Sequence, residues 1–335
     1  MRKVAVLGAG SWGSALAIHL ARIGHPVRLW ARDAALAAEM QARRANPVYL
    51  PDAVFPDGLT VTDRLPDALG DAELVVAAVP SHGLRLVLRQ AAPHVAGDAI
   101  VLSATKGIED GSLRRMSQVI AAEVPHVAAV AVLSGPSFAS ELARSLPTVV
   151  VVASQHPDVV RQVQEEFRSG AMRLYASQDV VGVELGGALK NVIAIAAGVV
   201  DGLQLGHNAQ AALITRGLAE ISRLAVAAGG DRDTLAGLAG MGDLVLTCTG
   251  QLSRNRHVGV ALAEGRALHD IVASTKMVAE GVRTTRAALA LGAAHGVELP
   301  ITAQVDALLQ GRVTPEVAVG ILMGRRQRAE SDAAR

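Results

Sequence analysis

Along the first half of the chain, short apolar runs alternate with stretches in which apolar residues recur every three or four positions. Lys3–Leu7, Pro26–Trp30, Leu74–Val79, Ala99–Leu102, Val127–Leu133 and Thr148–Ala153 are continuous runs rich in Val, Ala, Ile and Leu. That is the composition of strands buried on both faces of a parallel sheet. Between them, the pattern predicts helices over Gly13–Ile23, Ala34–Arg43, Gly83–Gln90, Ser112–Glu123 and Asp158–Arg168. The alternation predicts an α/β fold with a doubly wound sheet, closed by a further strand near Met172–Tyr175. From Val180 the strand pattern stops. Helices are expected over Val180–Val200, Ala209–Ala228, Arg232–Leu238, His257–Ala263, Thr284–His295, Thr302–Leu309 and Pro315–Met323. We therefore expect two domains, residues 1–185 with the sheet and residues 186–335 all-helical, ending in a polar, frayed Arg325–Arg335 tail.

Composition narrows the class. Half of the 335 residues are hydrophobic and only 2% aromatic, so alanine and glycine do much of the packing. The formal net charge of +1 gives no reason to expect a nucleic-acid partner or an anionic membrane surface. Cys248 is the single cysteine, which excludes an internal disulfide and suits a reducing compartment. The apolar start stops at Gly8, too early for a signal peptide, and no stretch looks long enough to span a membrane without a charge or glycine cluster. A soluble cytoplasmic protein is expected. The histidines are scattered, and no metal site is expected.

Lysine is scarce. Of 32 basic residues only Lys3, Lys106, Lys190 and Lys276 are lysine. Lys3 and Lys276 read as surface residues, whereas Lys190 interrupts a small-residue apolar run, Gly186–Gly198. Unlike arginine, a desolvated lysine can exchange a proton near neutral pH, so Lys190 is a candidate acid/base group; a snorkelling buried lysine is the alternative. On a helix it shares a face with Gly186, Ala194 and Ala197, which predicts a flat surface over which a substrate could lie.

The strongest motif is Gly8-Ala9-Gly10-Ser11-Trp12-Gly13, placed after a strand and opening a helix. In a dinucleotide-binding loop, Gly8 permits the tight turn, Gly10 lets a pyrophosphate approach and Gly13 allows close packing; the helix N-terminus faces the phosphates. At the next strand end, Arg32 could receive a 2′-phosphate, favouring NADP; Asp33 could serve NAD or cap the next helix. Three other strand ends carry Pro80-Ser81-His82, Thr105-Lys106-Gly107 and Ser134-Gly135-Pro136-Ser137-Phe138-Ala139, where Ser137 is placed to cap a short helix. In the helical half, Asp243 lies in a glycine turn and Ser253-Arg254-Asn255-Arg256 forms a compact donor cluster suited to a phosphate. Val278-Ala279-Glu280-Gly281 presents an acid before another helix, as a cofactor-hydroxyl contact or a dipole partner.

GAGSWGSALA, PSH, ATKG, SGPSFA, ELGGALKNVIAIAAG, NAQAALITRGLAE, GMGDLVLTCT, SRNR and VAEG occur in order from about Val4 to Gly324, and together resemble the bacterial-type NAD(P)-dependent glycerol-3-phosphate dehydrogenases. The resemblance implies a Rossmann domain joined to a helical domain like that of 6-phosphogluconate dehydrogenase. It further implies reversible reduction of dihydroxyacetone phosphate to sn-glycerol 3-phosphate, NADP or NAD as cofactor, and a homodimer. Carried over by motif, Lys190 is the proton donor and acceptor. Lys106, Gly135, Ser137, Asp243, Ser253, Arg254 and Asn255 are expected at the substrate. Ser11, Trp12, Arg32, Lys106, Ala139, Arg254, Val278 and Glu280 are expected at the dinucleotide. A related β-hydroxyacid dehydrogenase would share the fold and the lysine, and the SRNR cluster separates the two.

Overall fold

The computed structural model of the chain describes residues 1–274, 278–327 and 329–330; Lys276 and much of the arginine-rich tail lie outside the described residues. Eight strands form one sheet: β1 (Val4–Leu7), β2 (Val27–Trp30), β3 (Leu59–Thr62), β4 (Leu74–Ala77), β5 (Ile100–Ser103), β6 (Ala129–Ser134), β7 (Thr148–Ala153) and β8 (Met172–Ser177). Their order across the sheet is β8-β7-β6-β5-β4-β1-β2-β3. β1 is central, with Leu7 opposite Trp30 on one side and Ala77 on the other. Its alternate side chains enter different layers. Val4 and Val6 pack into the cluster that holds Leu16 and Leu20, while Ala5 and Leu7 join Leu84, Leu88 and Ile120. Burial on both faces is what the continuous apolar run required.

The helices α1 (Ser11–Arg22), α2 (Ala34–Arg43), α3 (Ser81–Ala91), α4 (Met116–Glu123), α5 (Ala139–Ala143) and α6 (Pro157–Phe167) connect these strands. Two departures from the sequence reading have simple causes. The sheet is not parallel throughout: β7 runs antiparallel to β6, and β8 then runs parallel to β7. At five residues α5 is about 7.5 Å long, too short to carry the chain back along a strand of roughly 20 Å, so the chain returns in the opposite sense. The helix expected from Ser112 begins only at Met116, because Ile108 pairs with Arg115 in an antiparallel bridge. Short elements were also missed: β3, a small hairpin of Ala45–Asn46 with Leu50–Val54, and a helix at Leu65–Leu69.

The sheet ends at Ser177, and α7 (Val180–Gly202) then runs unbroken through residues 185 and 186. Asp179 caps it, accepting from the Gly182 N–H at 2.8 Å. Around it pack α8 (Gly206–Ala227), α9 (Asp243–Thr249), α10 (Arg254–Ala263), α11 (Glu280–Ala294) and α12 (Pro300–Leu309). By length and hydropathy α7 could cross a membrane, but Glu184, the Gly186-Gly187 pair and Lys190 interrupt it, as expected of every long apolar stretch here, and 83% of its most apolar window is buried inside the protein. It is apolar all round because neighbours surround it, with Leu189, Ile195 and Val183 entering three different core clusters. Its small residues admit backbone: a Cβ on Gly186 would stand 2.6 Å from the Ala239 carbonyl oxygen, and one on Gly198 2.0 Å from that of Arg256. The flat open surface expected around Lys190 is thus covered by other helices.

Candidate active site

Lys190 lies in the middle of α7 and is only 7% exposed. Its Nζ donates to Asp243 Oδ1 and, at 2.7 Å, to the Thr247 hydroxyl. Asp243 opens α9 and is fully buried. Its other oxygen, Oδ2, accepts from Lys106 Nζ at 2.5 Å, and Lys106 also donates to the Gly135 carbonyl at 3.0 Å. One carboxylate therefore bridges two lysines, one from each half of the chain. Asp243 caps no helix with its side chain, because the two ammonium groups occupy it. Thr247, one turn along α9, locks the arrangement by donating to the Asp243 backbone carbonyl at 2.6 Å.

Burial pushes the Lys190 ammonium down to about 8; Asp243 acts against that shift and Lys106 reinforces it. A lysine so placed holds its proton at neutral pH and releases it readily. Gly187 keeps the site narrow, since a Cβ there would stand 2.4 Å from Ser134 Oγ.

Ser137 does not cap α5, as the sequence had suggested. Its hydroxyl donates to Gly135 O at 2.9 Å, holding the turn whose carbonyl Lys106 also uses, and the α5 cap position falls on Phe138. Ser253 does cap, accepting from the Arg256 N–H at the start of α10. Asn255 is engaged at both ends: it donates to Asn191 Oδ1 at 2.9 Å and accepts from the Gly281 N–H at 2.9 Å. This ties α10, α11 and the residue after Lys190 together. Arg254 is solvent-exposed, yet enough protein surrounds it to lower its guanidinium pKa, with Glu280 opposing.

The glycine loop takes the expected form. Gly8 has φ of +110°, and a Cβ on Gly13 would lie 1.9 Å from Gly8 O, so the loop closes on the first turn of α1. Gly10 faces open space, and α1 starts without a side-chain cap. Ser11 donates to Tyr49 O at 2.7 Å. Arg32 is exposed beyond β2, whereas Asp33 caps α2, its Oδ1 accepting from the Leu36 N–H at 3.1 Å. Ala139 opens α5 against the sheet core, and Val278 lies half-buried just before α11. Glu280 reaches across to the loop after β4, accepting from the Ser81 N–H at 3.2 Å and its hydroxyl at 2.6 Å.

Ser81 was read only as part of a strand-end motif, and Thr247 and Asn191 were given no role, although Thr247 lies four residues after Asp243, a spacing that shares a helix face. An open concavity of about 930 Å³ lined by Arg115, His156, Asp179 and Arg232, among others, contains none of the site residues. Its two aspartates are consumed in capping, Asp179 by Gly182 and Asp231 by Asp233.

Comparison with known proteins identifies the family. Residues 3–160 match the family model for the N-terminus of NAD-dependent glycerol-3-phosphate dehydrogenase, and residues 179–320 that for its C-terminus. The chain is 54% identical to a glycerol-3-phosphate dehydrogenase [NAD(P)+] of Koribacter versatilis, over 97% of this chain and 98% of the other. It is 52% identical to one of Acidobacterium capsulatum, over 98% and 100%. The crystal structure of a glycerol-3-phosphate dehydrogenase from Coxiella burnetii superposes with a TM-score of 0.93 at 42% identity, covering 97% of this chain and 99% of that one. With both halves matched in order by the family models and relatives at about 50% identity along nearly the whole chain, the chain belongs to the NAD-dependent glycerol-3-phosphate dehydrogenase family.

Proposed function

We propose that this protein is an NAD(P)-dependent sn-glycerol-3-phosphate dehydrogenase that reversibly reduces dihydroxyacetone phosphate, with Lys190 moving the proton. The observation that carries the reading is the buried Lys190–Asp243–Lys106 bridge, set where the strand ends meet the helical half.

The residues present fit a dinucleotide: Gly10 opens onto free space at an uncapped helix start, and Trp12 Nε1 is buried with no hydrogen-bond partner. When bound, the nicotinamide supplies or accepts the hydride. Gly8, Gly10, Ser11, Trp12, Gly13, Arg32, Lys106, Ala139, Arg254, Val278 and Glu280 would hold it. Lys106, Gly135, Ser137, Lys190, Asp243, Ser253, Arg254 and Asn255 would surround the substrate.

In the reducing direction, protonated Lys190 donates to the ketone oxygen as negative charge develops there; neutral Lys190 takes the proton back in the reverse direction. Asp243 and Thr247 fix Nζ so that its remaining N–H points to the substrate, and Lys106 adds a second positive charge beside the same oxygen. The planar Arg254 guanidinium and the spare N–H of Asn255 suit the phosphate, so that the unreactive end of the substrate positions the reactive one. The product is the backbone of glycerophospholipids, and we place the enzyme in the cytoplasm, as a homodimer, supplying their synthesis.

Mixing reduced nicotinamide cofactor with dihydroxyacetone phosphate and the protein tests the reading. Cofactor oxidation with formation of sn-glycerol 3-phosphate is expected. Activity confined to unphosphorylated β-hydroxyacids would overturn it in favour of the related dehydrogenases.

A further inference from the structure

The crevice at the ends of β1, β2 and β4 carries a positive charge that the motif reading leaves unassigned. Because β1 lies between β2 and β4, the segments that leave those two strands straddle the glycine loop, about 10 Å apart at two strand spacings. Arg32 stands two residues beyond β2, and His82 is in the first turn of α3 beyond β4. Over them lies the start of α11, pinned by the Glu280–Ser81 hydrogen bonds and by Gly281 on Asn255. Arg283 is one turn further along α11, on the side that carries Glu280, and so faces the α3 start where His82 follows Ser81. The electrostatics agree with that placement. His82 is held below its ordinary value first by desolvation and then by Arg283, with Arg32 adding to the shift and Glu280 opposing it.

Arg32 and Arg283 are both exposed, and among the described residues no ion pair or hydrogen bond engages either guanidinium. The Glu280 carboxylate holds both of its oxygens on Ser81, outside any ion pair with either arginine. Two guanidinium groups outside any ion pair, one from each half of the chain, thus flank one mouth of the crevice, an arrangement that favours a bound dianion.

We propose that Arg283 and Arg32 form a two-sided clamp on the 2′-phosphate of NADPH, with His82 beside it, so that both halves of the chain jointly set the preference for NADPH over NADH. This rests on the dinucleotide site described above. A phosphate monoester carries close to two negative charges at neutral pH, and a planar guanidinium can engage two of its oxygens at once. The 2′-hydroxyl of NADH offers no such charge, so the clamp acts selectively.

The test measures binding of NADPH, NADH, 2′,5′-ADP and 5′-AMP to the wild type and to Arg283→Ala, Arg283→Lys and Arg32→Ala. In Arg283→Ala, affinity for NADPH and 2′,5′-ADP should fall about tenfold more than affinity for NADH and 5′-AMP, the size of one charge-assisted contact, with partial recovery in Arg283→Lys. Equal losses for both cofactors would mean that Arg283 merely supports the fold, and unchanged NADPH affinity would remove it from the site; either result overturns the proposal. Dihydroxyacetone phosphate turnover is scored separately. Selective NADPH loss in a protein that does not turn over this substrate would keep the clamp and discard the substrate reading.

Discussion

The two halves of this chain hold their functional groups by opposite means. Apart from Lys106 and Arg32, the sheet half presents mostly backbone: a glycine turn, an uncapped helix start and strand ends, supported by apolar layers on both faces of β1. The helical half presents side chains, and it buries charge to do so, with Asp243 fully inaccessible between two lysines. Apolar burial is undirected and tolerates exchange among residues of similar volume. A buried ion bridge does not, because removing one member strands the others without solvent. Substitutions in the helical half should therefore damage chemistry sharply, and those in the sheet half should act through shape.

The largest effect is expected from Lys190→Met, which keeps length and apolar bulk but removes the transferable proton. Turnover should drop about a thousandfold while dinucleotide affinity, read by fluorescence titration, is retained. Turnover within tenfold of wild type would remove Lys190 from the proton-transfer role. Asp243→Ala comes next. It leaves two ammonium groups facing each other, and thermal or denaturant unfolding should report a loss of about 3–5 kcal/mol together with lost activity. Arg254→Ala should raise KM for dihydroxyacetone phosphate roughly a hundredfold, a much larger change than in kcat, if it holds the unreactive phosphate end.

In the sheet half, Gly13→Ala forces a methyl to within 1.9 Å of Gly8 O, so the loop must shift. A stability loss of about 1–3 kcal/mol with weakened dinucleotide binding is expected. Ser81→Ala is the mildest change. It removes one of the two hydrogen bonds to Glu280, for about 1 kcal/mol, and should leave turnover within a few-fold. If Gly13→Ala abolished proton transfer while Lys190→Met altered only binding, the contrast between the halves would be inverted.

The pH dependence sharpens the same contrast. In the proposed mechanism Lys190 carries the proton for ketone reduction, so kcat/KM in that direction should fall above about pH 8, while alcohol oxidation should rise through the same range. For stability the sign is also fixed. The folded value lies below the ordinary 10.5, so between about pH 8 and 10.5 the unfolded chain holds the extra proton, and stability rises with pH across that window. In Asp243→Asn the loss of the opposing carboxylate should move the activity limb to lower pH.

Legibility followed the same division. The apolar runs located the core strands because burial on both faces leaves a continuous signature. β3 was missed because its last three residues are not fully buried at the sheet edge, and the antiparallel turn into β7 depends on the length of α5 rather than on any apolar pattern. Of the site, Lys190 was visible through the rarity of lysine, and the glycine loop through its spacing. Ser137 looked like a helix cap and is not one, because its hydroxyl turns back onto Gly135 O of its own loop, while the partners of Asp243 lie in other elements and no local pattern names them. The open face expected beside Lys190 proved to be a packing seam, since small residues serve close helix approach as readily as ligand access.

The sequence by itself determined the strand–helix alternation, the glycine turn and the presence of a lysine with no role in surface charge, since these rest on local periodicity and residue chemistry. The tertiary structure alone decided that one carboxylate joins Lys106 to Lys190 across 137 and 53 residues, and that Glu280 meets Ser81 across 199. Such juxtapositions depend on how packed helices meet the sheet, and no local pattern encodes a distance between residues so far apart in the chain.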